Sequence, residues 1–335
     1  MSDVYVPPFH LTDEIMNLIA EISEMVGELS VDAHLSPDPL LRRRNRIRTI
    51  HSSLAIEQNT LSLDEVTALI EGKRILGPPK DIQEVRNAFE AYERMAALDP
   101  CSMEDLLTAH RLMMRDLIPD AGCFRSGNVG VFSGDQLIHA GTPARYVPEV
   151  TAQLFAWLRT TAAHPLVKGC VFHFEFETIH PFSDGNGRTG RLWHSLILQQ
   201  WRPILAWLPV ESMVREHQEE YYQTLNAGQS RGEGTDFIAF MLLMLRDTMR
   251  EIKREQTLRV VEDGVDRVVD QAEQHQQSVL AILKQRPRSS SREIAALMGL
   301  SQRQVQRVLA DLQTDGKLAR HGSPRSGYWE IIEQK

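Results

Sequence analysis

The chain is poor in cysteine and has no long apolar run, and both shortages narrow what it can be. Only Cys101, Cys123 and Cys170 occur in 335 residues. They stand far apart, so they supply neither a disulfide framework nor metal-ligand spacing. Buried thiols in a reducing cytoplasm are the expectation. No stretch reaches the roughly 18 apolar residues of a membrane span. The opening Met1-Ser2-Asp3-Val4-Tyr5-Val6-Pro7-Pro8 has no basic n-region or apolar h-region, so nothing in it points to export. Internal repeats and low-complexity tracts are also missing. What remains is 42% hydrophobic and 24% charged, an ordinary balance for a globular protein of two or three domains.

Charge is unevenly spread. The net charge is −8, yet residues 278–335 carry 10 Lys+Arg against 5 Asp+Glu, a net +5. The rest of the chain therefore carries −13. A basic module on an acidic body directs any polyanion to the C-terminal end.

Hydrophobic periodicity predicts a mainly α fold. A helix capped by Thr12 or Asp13 runs to about Ser30, with Ile15, Leu18, Ile19, Ile22 and Val26 on one face. Further helices are expected near 40–57, 63–72, 81–97, 103–116, 147–163, 166–179, 192–201 and 235–254. Ser62 followed by Glu65 is a capping box. Within 122–142, Val129, Val131, Leu137 and Ile138 flank Ser133-Gly134-Asp135 and read as a hairpin. From 278 onward, two short amphipathic helices follow a first one, with Ser301 capping the third. Strands near 317–321 and 328–332 complete a small α+β winged helix-turn-helix. The expected division is 1–100, 101–255, a linker helix at 256–277, and 278–335.

The most informative run is His180-Pro181-Phe182-Ser183-Asp184-Gly185-Asn186-Gly187-Arg188-Thr189-Gly190-Arg191. It places a base, a carboxylate, three glycines and two arginines directly before an apolar-periodic helix. N–H groups at a helix start lack intrahelical partners and, with the dipole, favour an anion. Gly185, Gly187 and Gly190 would let backbone approach phosphate oxygens. His180 suits a general base, Asp184 suits Mg²⁺, and Arg188 and Arg191 share a helical face as a phosphate clamp. Asn186 could fix the loop or donate to an oxyanion.

The run resembles the Fic family signature His-x-Phe-x-Asp/Glu-Gly-Asn-Gly-Arg-x-x-Arg at every specified position. His173, Phe176 and Ile179 are similar to the family's preceding segment, and the likeness covers roughly residues 1–250. It implies a Fic-type helical bundle that transfers a nucleotide monophosphate, usually AMP from ATP, to a protein hydroxyl. By that resemblance His180 deprotonates the target, Asp184 places Mg²⁺, and Gly185 to Arg191, Thr189 included, receives the nucleotide. Asn186 and Arg188 join His180 in catalysis, while Arg191 takes the γ-phosphate. The hairpin corresponds to a flap that aligns the target by strand addition, the alternative being an ordinary surface hairpin. Tyr221 and Tyr222 resemble a pair bordering the base, the alternative being packing. Gln229 stands where relatives often carry Asn.

A second stretch, His51-Ser52-Ser53-Leu54-Ala55-Ile56-Glu57-Gln58-Asn59, resembles the family's inhibitory motif Ser/Thr-x-x-x-Glu-Gly/Asn through Ser53 and Glu57. The resemblance implies that Glu57 pairs with Arg191 and blocks the γ-phosphate site within the same chain. Gln58 departs from the usual Gly or Asn. In some family members the inhibitory glutamate also orients water for AMP removal, which the resemblance extends to Glu57 as an alternative; a different nucleotide donor is a further alternative, although Gly187 replaces the lysine that phosphate-transferring relatives tend to carry. In the C-terminal module Gln302, Arg303, Gln306, Arg307, Arg320 and Arg325 suit duplex DNA. A protein-docking or homodimer role is the alternative there. The competing reading of the whole chain is a DNA-associated regulator whose Fic body senses nucleotide.

Overall fold

The computed structural model describes residues 5–31, 39–128, 130–133, 136–322 and 327–332. Its contacts divide the chain into two compact units, 1–252 and 253–335. Among the described residues no helix is long and apolar enough to cross a membrane. Val129, Gly134, Asp135 and Arg325 lie outside the described residues.

The first unit is built from helices. In chain order they are α1 (Asp13–Val31), α2 (Pro39–Ile56), α3 (Leu63–Ile70), α4 (Pro79–Arg94), α5 (Met103–Met114), α6 (Val147–Thr160), α7 (Pro165–Ile179), α8 (Asn186–Trp201), α9 (Val210–Glu216) and α10 (Gln218–Arg231), followed by the start of α11 (Thr235–Gln285). Thr12 accepts the N–H of Ile15 at 3.2 Å, and Ser62 with Glu65 forms the expected reciprocal box. The hairpin is β1 (Gly130–Ser133) paired antiparallel with β2 (Gln136–Ala140), with a register shift between Val131 and Phe132.

α7 lies at the centre. Its residues are buried around almost the whole circumference, as a helix without a polar face must be. It packs along α8 at close range because two positions lack side chains. A Cβ on Gly190 would meet Glu177 Oε1 at 2.8 Å and Phe176 Cδ1 at 3.1 Å. A Cβ on Gly169 would meet His194 Cδ2 at 2.8 Å. Phe155, Phe172 and Trp193 fill the adjoining core, and the Trp193 indole donates to Pro100 O at 3.1 Å. The N-terminal segment is tied onto this core: Tyr5 Oη donates to Glu175 Oε2 at 2.8 Å, and Gly234 N–H donates to Pro8 O at 3.0 Å.

The second unit has its own core of Val279, Leu283, Ile294, Val305, Leu309, Leu312, Leu318 and Trp329. Val279 and Leu283 belong to the last turns of α11, so the separate helices expected from 235 to 285 form one continuous helix. α12 (Ser291–Met298) and α13 (Gln302–Thr314) each begin on a capping box, Ser290 with Glu293 and Ser301 with Gln304. α12 stops at Gly299, whose φ of +66° suits a residue without Cβ. β3 (Leu318–His321) and β4 (Tyr328–Ile331) pair antiparallel, Leu318 opposite Ile331.

Candidate functional site

The loop between α7 and α8 is held by side chains from elsewhere in the chain. His180 ends α7 in the left-handed region, φ 52° and ψ 63°, which is costly for a residue with a Cβ. The Arg125 guanidinium secures that turn. It donates to His180 O at 2.7 Å, Ile179 O at 3.3 Å and Gly127 O at 2.8 Å, and also to Thr142 O. Its backbone N–H adds a bond to Pro181 O at 3.0 Å. Asn186 closes the loop from the other end. Its amide donates to Phe182 O and accepts from Phe182 N, both at 2.9 Å. The side chain thus fixes the loop, one of the two roles expected for it.

His110 supports the same loop. Its ring stacks on Phe182 with centroids 3.6 Å apart and planes 3° from parallel. Nδ1 accepts the N–H of Gly122 at 2.9 Å, so Nε2 carries the proton and donates to Asp184 O, also at 2.9 Å. Burial lowers its pKa to about 4, which keeps the ring neutral near pH 7. Neither Arg125 nor His110 carried a sequence signal. Both are lone polar residues in unremarkable segments, and only the tertiary fold reveals their partners. Replacing Arg125 by Ala is expected to lower stability by about 2–4 kcal/mol, because four carbonyls, that of Ile179 buried and the others partly so, lose a charged donor. Lys should restore little of that, lacking the planar fork. Urea unfolding of both variants tests this.

Gly185, at φ 80° and ψ 12°, turns the chain into α8, which starts at Asn186. Gly187, Arg188 and Arg191 thus lie in its first two turns. Arg188 is buried and donates to Glu84 Oε1 on α4 and to Asp184 Oδ1, each at 3.0 Å. Glu84, another residue without a sequence signal, also accepts from Asn59 Nδ2 at 2.8 Å. Asp184 is half-exposed, and its Oδ1 accepts the Gly185 N–H at 2.6 Å.

Arg191 is engaged by α2. Its Nε donates to Ser53 Oγ at 3.0 Å, while Nη2 donates to Ser53 O at 2.9 Å and to Glu57 Oε1 at 2.7 Å. Burial is the largest single influence and works against its charge, but Glu57, by charge and hydrogen bond, together with Tyr221 and Tyr222, holds the guanidinium above its ordinary pKa. Glu57 also lies against the bare face of Gly187, where a Cβ would overlap Oε1. A carboxylate from α2 therefore rests on the opening turn of α8. Gln58 follows with φ 69°. The side chain at this position does not prevent the left-handed turn that Gly or Asn would favour.

Gly190, Thr189, Tyr221 and Tyr222, also expected at the nucleotide, differ in exposure. Gly190 faces α7, and its missing side chain serves helix packing rather than phosphate approach. Thr189 is buried at 1% exposure and points away from solvent. Tyr221 is equally buried, packed against Phe237 and Phe240 and bonded to His173 Nε2 at 3.1 Å, which is the packing alternative. Tyr222, 38% exposed, is the member of the pair that reaches the surface. In the second unit Gln302, Arg303, Gln306 and Arg307 are all exposed on α13, with Gln302 Nε2 bonded to Ser291 Oγ at 3.2 Å. The Arg320 guanidinium lies 4.9 Å over the Trp329 ring.

Behind Arg191, Glu177 is buried, and loss of solvent raises its pKa to about 8, with Arg191 opposing and Glu57 reinforcing the rise. A carboxyl raised in the folded state contributes stability below its unfolded pKa and loses it as pH climbs to the folded value. Stability should therefore fall between pH 4.5 and about 8 through this group. Glu177→Gln should flatten that part of the stability curve in chemical denaturation at several pH values.

Taken by its geometry, this is a mainly α protein in which a carboxylate from the end of α2 rests against the opening turn of α8 and pairs with Arg191. The Fic/DOC family model matches residues 100–198. A Fic family protein from Desulfovibrio desulfuricans superimposes with a TM-score of 0.72 at 46% identity, covering 99% of both chains. The chain belongs to the Fic family. Curated relatives include Protein adenylyltransferase fic-1 of Caenorhabditis briggsae, 30% identical over 229 residues. That match covers 62% of this chain but 42% of the relative. The chain thus spans less than half the length of this relative. Fic-1 of Caenorhabditis elegans shares the fold at a TM-score of 0.59 and 23% identity, covering 72% of this chain and 73% of that one.

Proposed function

We propose that this chain is a protein adenylyltransferase that moves AMP from ATP to a Ser, Thr or Tyr hydroxyl of a protein, itself included, and that its own α2 inhibits it. The observation that carries this reading is the Glu57 carboxylate resting on Gly187 and Arg191. That is the place a helix start reserves for phosphate, and two buried arginines flank it.

The steps follow from the residues. His180 accepts the proton of the target hydroxyl, whose oxygen attacks the α-phosphorus of ATP. The bond to the β-phosphate bridging oxygen breaks and pyrophosphate leaves. Backbone amides at the start of α8 and the Arg188 guanidinium bear the added charge on phosphate, so positioning and electrostatics carry the catalysis. Glu84 positions Arg188, and the clamp by Arg125, Asn186 and His110 fixes the loop that bears His180.

Among the described residues no group of three His, Cys, Asp or Glu side chains forms a metal cage. Half-exposed Asp184 offers one carboxylate, which suits Mg²⁺ because that cation takes its remaining ligands from phosphates and water. A bound Mg²⁺ would offset the triphosphate charge.

The hairpin is assigned to aligning the target segment by strand addition. The second unit is assigned to a winged-helix reader of duplex DNA, supported by exposed Arg303, Gln306 and Arg307 on α13. Affinity for duplex that falls with salt would support it, whereas no duplex binding at low salt would favour protein docking. For the enzyme, intact-mass measurement of the wild-type and Glu57→Gly chains after incubation with ATP and Mg²⁺ identifies the transferred group. No added nucleotide on either chain or on any target protein would remove the proposal.

A further inference from the structure

α2 carries a second constellation that the inhibitory contact does not use. Arg42, Arg43 and Arg46 line a cavity of about 300 Å³ together with Ile47, Ile70, Phe89, Glu93 and Trp207. Its walls come from α2, α3, α4 and the turn after α8. Three guanidinium groups against one carboxylate leave the lining with a net charge of +2.

Arg46 is the unusual member. It is 5% exposed, and its Nε has no hydrogen-bond partner among the described residues. Its guanidinium lies 4.7 Å over the Trp207 ring and 5.1 Å over Tyr92, while Arg42 lies 5.5 Å over Trp207 and likewise has a buried Nε without a partner. Stacking on rings offsets only part of the cost of burying such a cation, and the nearby Glu211 and Glu93 carboxylates favour its charge without outweighing burial. Burial also draws its pKa below the ordinary guanidinium value. A planar donor fork of this kind is matched by phosphate oxygens. Ile47, Ile70 and Phe89 offer an apolar wall for the rest of a ligand, and the volume is that of a small-molecule site.

We propose that this cavity binds a small organic phosphate, and that its occupation holds α2 against the neighbouring helices. Arg42, Arg46, Ser53 and Glu57 recur at spacings of four and seven residues, so they follow one face along α2 and its end. A ligand touching both α2 and the helices around it binds only the docked arrangement and, by linkage, favours it. Glu57 then stays on Arg191. The regulatory consequence rests on the inhibitory reading of Glu57, but the binding itself does not.

The test uses the full chain and phenyl phosphate as probe, with inorganic phosphate and phenol as controls. Calorimetry should show one saturable site for phenyl phosphate, weaker binding of inorganic phosphate and none of phenol. Arg43→Glu, at an exposed position, should weaken phenyl phosphate by about tenfold or more through loss of a charged donor. Arg42→Gln should weaken it in the same direction. Binding should persist in Arg191→Gln, which separates this cavity from the start of α8. Hydrogen exchange of amides 42–56 should slow when the probe is bound. Affinity unchanged in both Arg42→Gln and Arg43→Glu, or lost in Arg191→Gln, overturns the site. Unchanged exchange in α2 at saturation overturns the coupling. None of these readouts needs AMP transfer, so failure of the adenylyltransferase reading would be seen separately.

Discussion

Glu57→Gly is expected to raise AMP incorporation about 10- to 100-fold over wild type at saturating ATP and Mg²⁺, the range given by losing one charge-assisted bond to a buried partner. The substitution does two things at once. It removes the carboxylate from Arg191 Nη2, 2.7 Å away, and it clears the face of Gly187. Ser53 keeps two contacts to Arg191, so the guanidinium stays oriented rather than collapsing. Labelled ATP with the chain as its own acceptor measures the rate. Glu57→Gln separates charge from bulk: it should release less than Gly, because an amide still fills the space. Equal, low incorporation by all three chains would mean that α2 does not govern the site.

The second large effect is expected at His180. In a Glu57→Gly background, His180→Ala should lower transfer by about 10²- to 10⁴-fold, the usual contribution of a positioned base. ATP affinity should change little, because the phosphate contacts assigned to Arg188, Arg191 and the α8 amides remain. The backbone carbonyl of His180 is also an anchor for Arg125, so loop integrity needs its own check. Unfolding midpoints of parent and variant should agree closely, since the anchoring group is main chain. A fall in nucleotide affinity equal to the fall in rate would instead place His180 in binding, and the sensor reading would gain.

Local chemistry was legible in the amino-acid sequence wherever a few neighbouring residues decide the outcome. Ser62 with Glu65 starts α3, Ser301 starts α13, and Gly299 ends α12, each through its own side chain or lack of one. The pairing of Glu57 with Arg191 was anticipated by resemblance, and the two side chains meet in the structure. The start of α8 was less legible. Apolar periodicity begins only at Leu192, whereas the helix begins at Asn186, because two glycines and polar residues occupy its first turns. Spacing groups Gly190 with the phosphate glycines, yet its neighbours are Glu177 and Phe176 on α7. The supports of the site, Arg125, His110 and Glu84, were invisible for a different reason. Their partners lie 55, 74 and 104 residues away, and nothing in a local window encodes such pairings.

Gln58 joins the two kinds of case. A family-like Gly or Asn would have signalled the end of α2, and Gln does not. The chain nevertheless turns there with positive φ, held by the bonds that follow: Asn59 N–H to Leu54 O at 3.1 Å, and Asn59 Nδ2 to Glu84 Oε2 at 2.8 Å. The same glutamate that bonds Arg188 therefore also secures Asn59, two residues beyond Glu57. Arg191 is thus tied to Ser53 and Glu57, and Arg188 to Asn59 through Glu84.

The most direct measurement is a crystal structure of the Glu57→Gly chain with Mg²⁺ and a non-hydrolysable ATP analogue. In the proposed site the γ-phosphate lies on Arg191, the α-phosphate against the amides that open α8, and the His180 imidazole faces the α-phosphorus on the side opposite the leaving group. A triphosphate seated away from α8, or an α-phosphorus out of reach of that imidazole with Arg191 vacant, would contradict it.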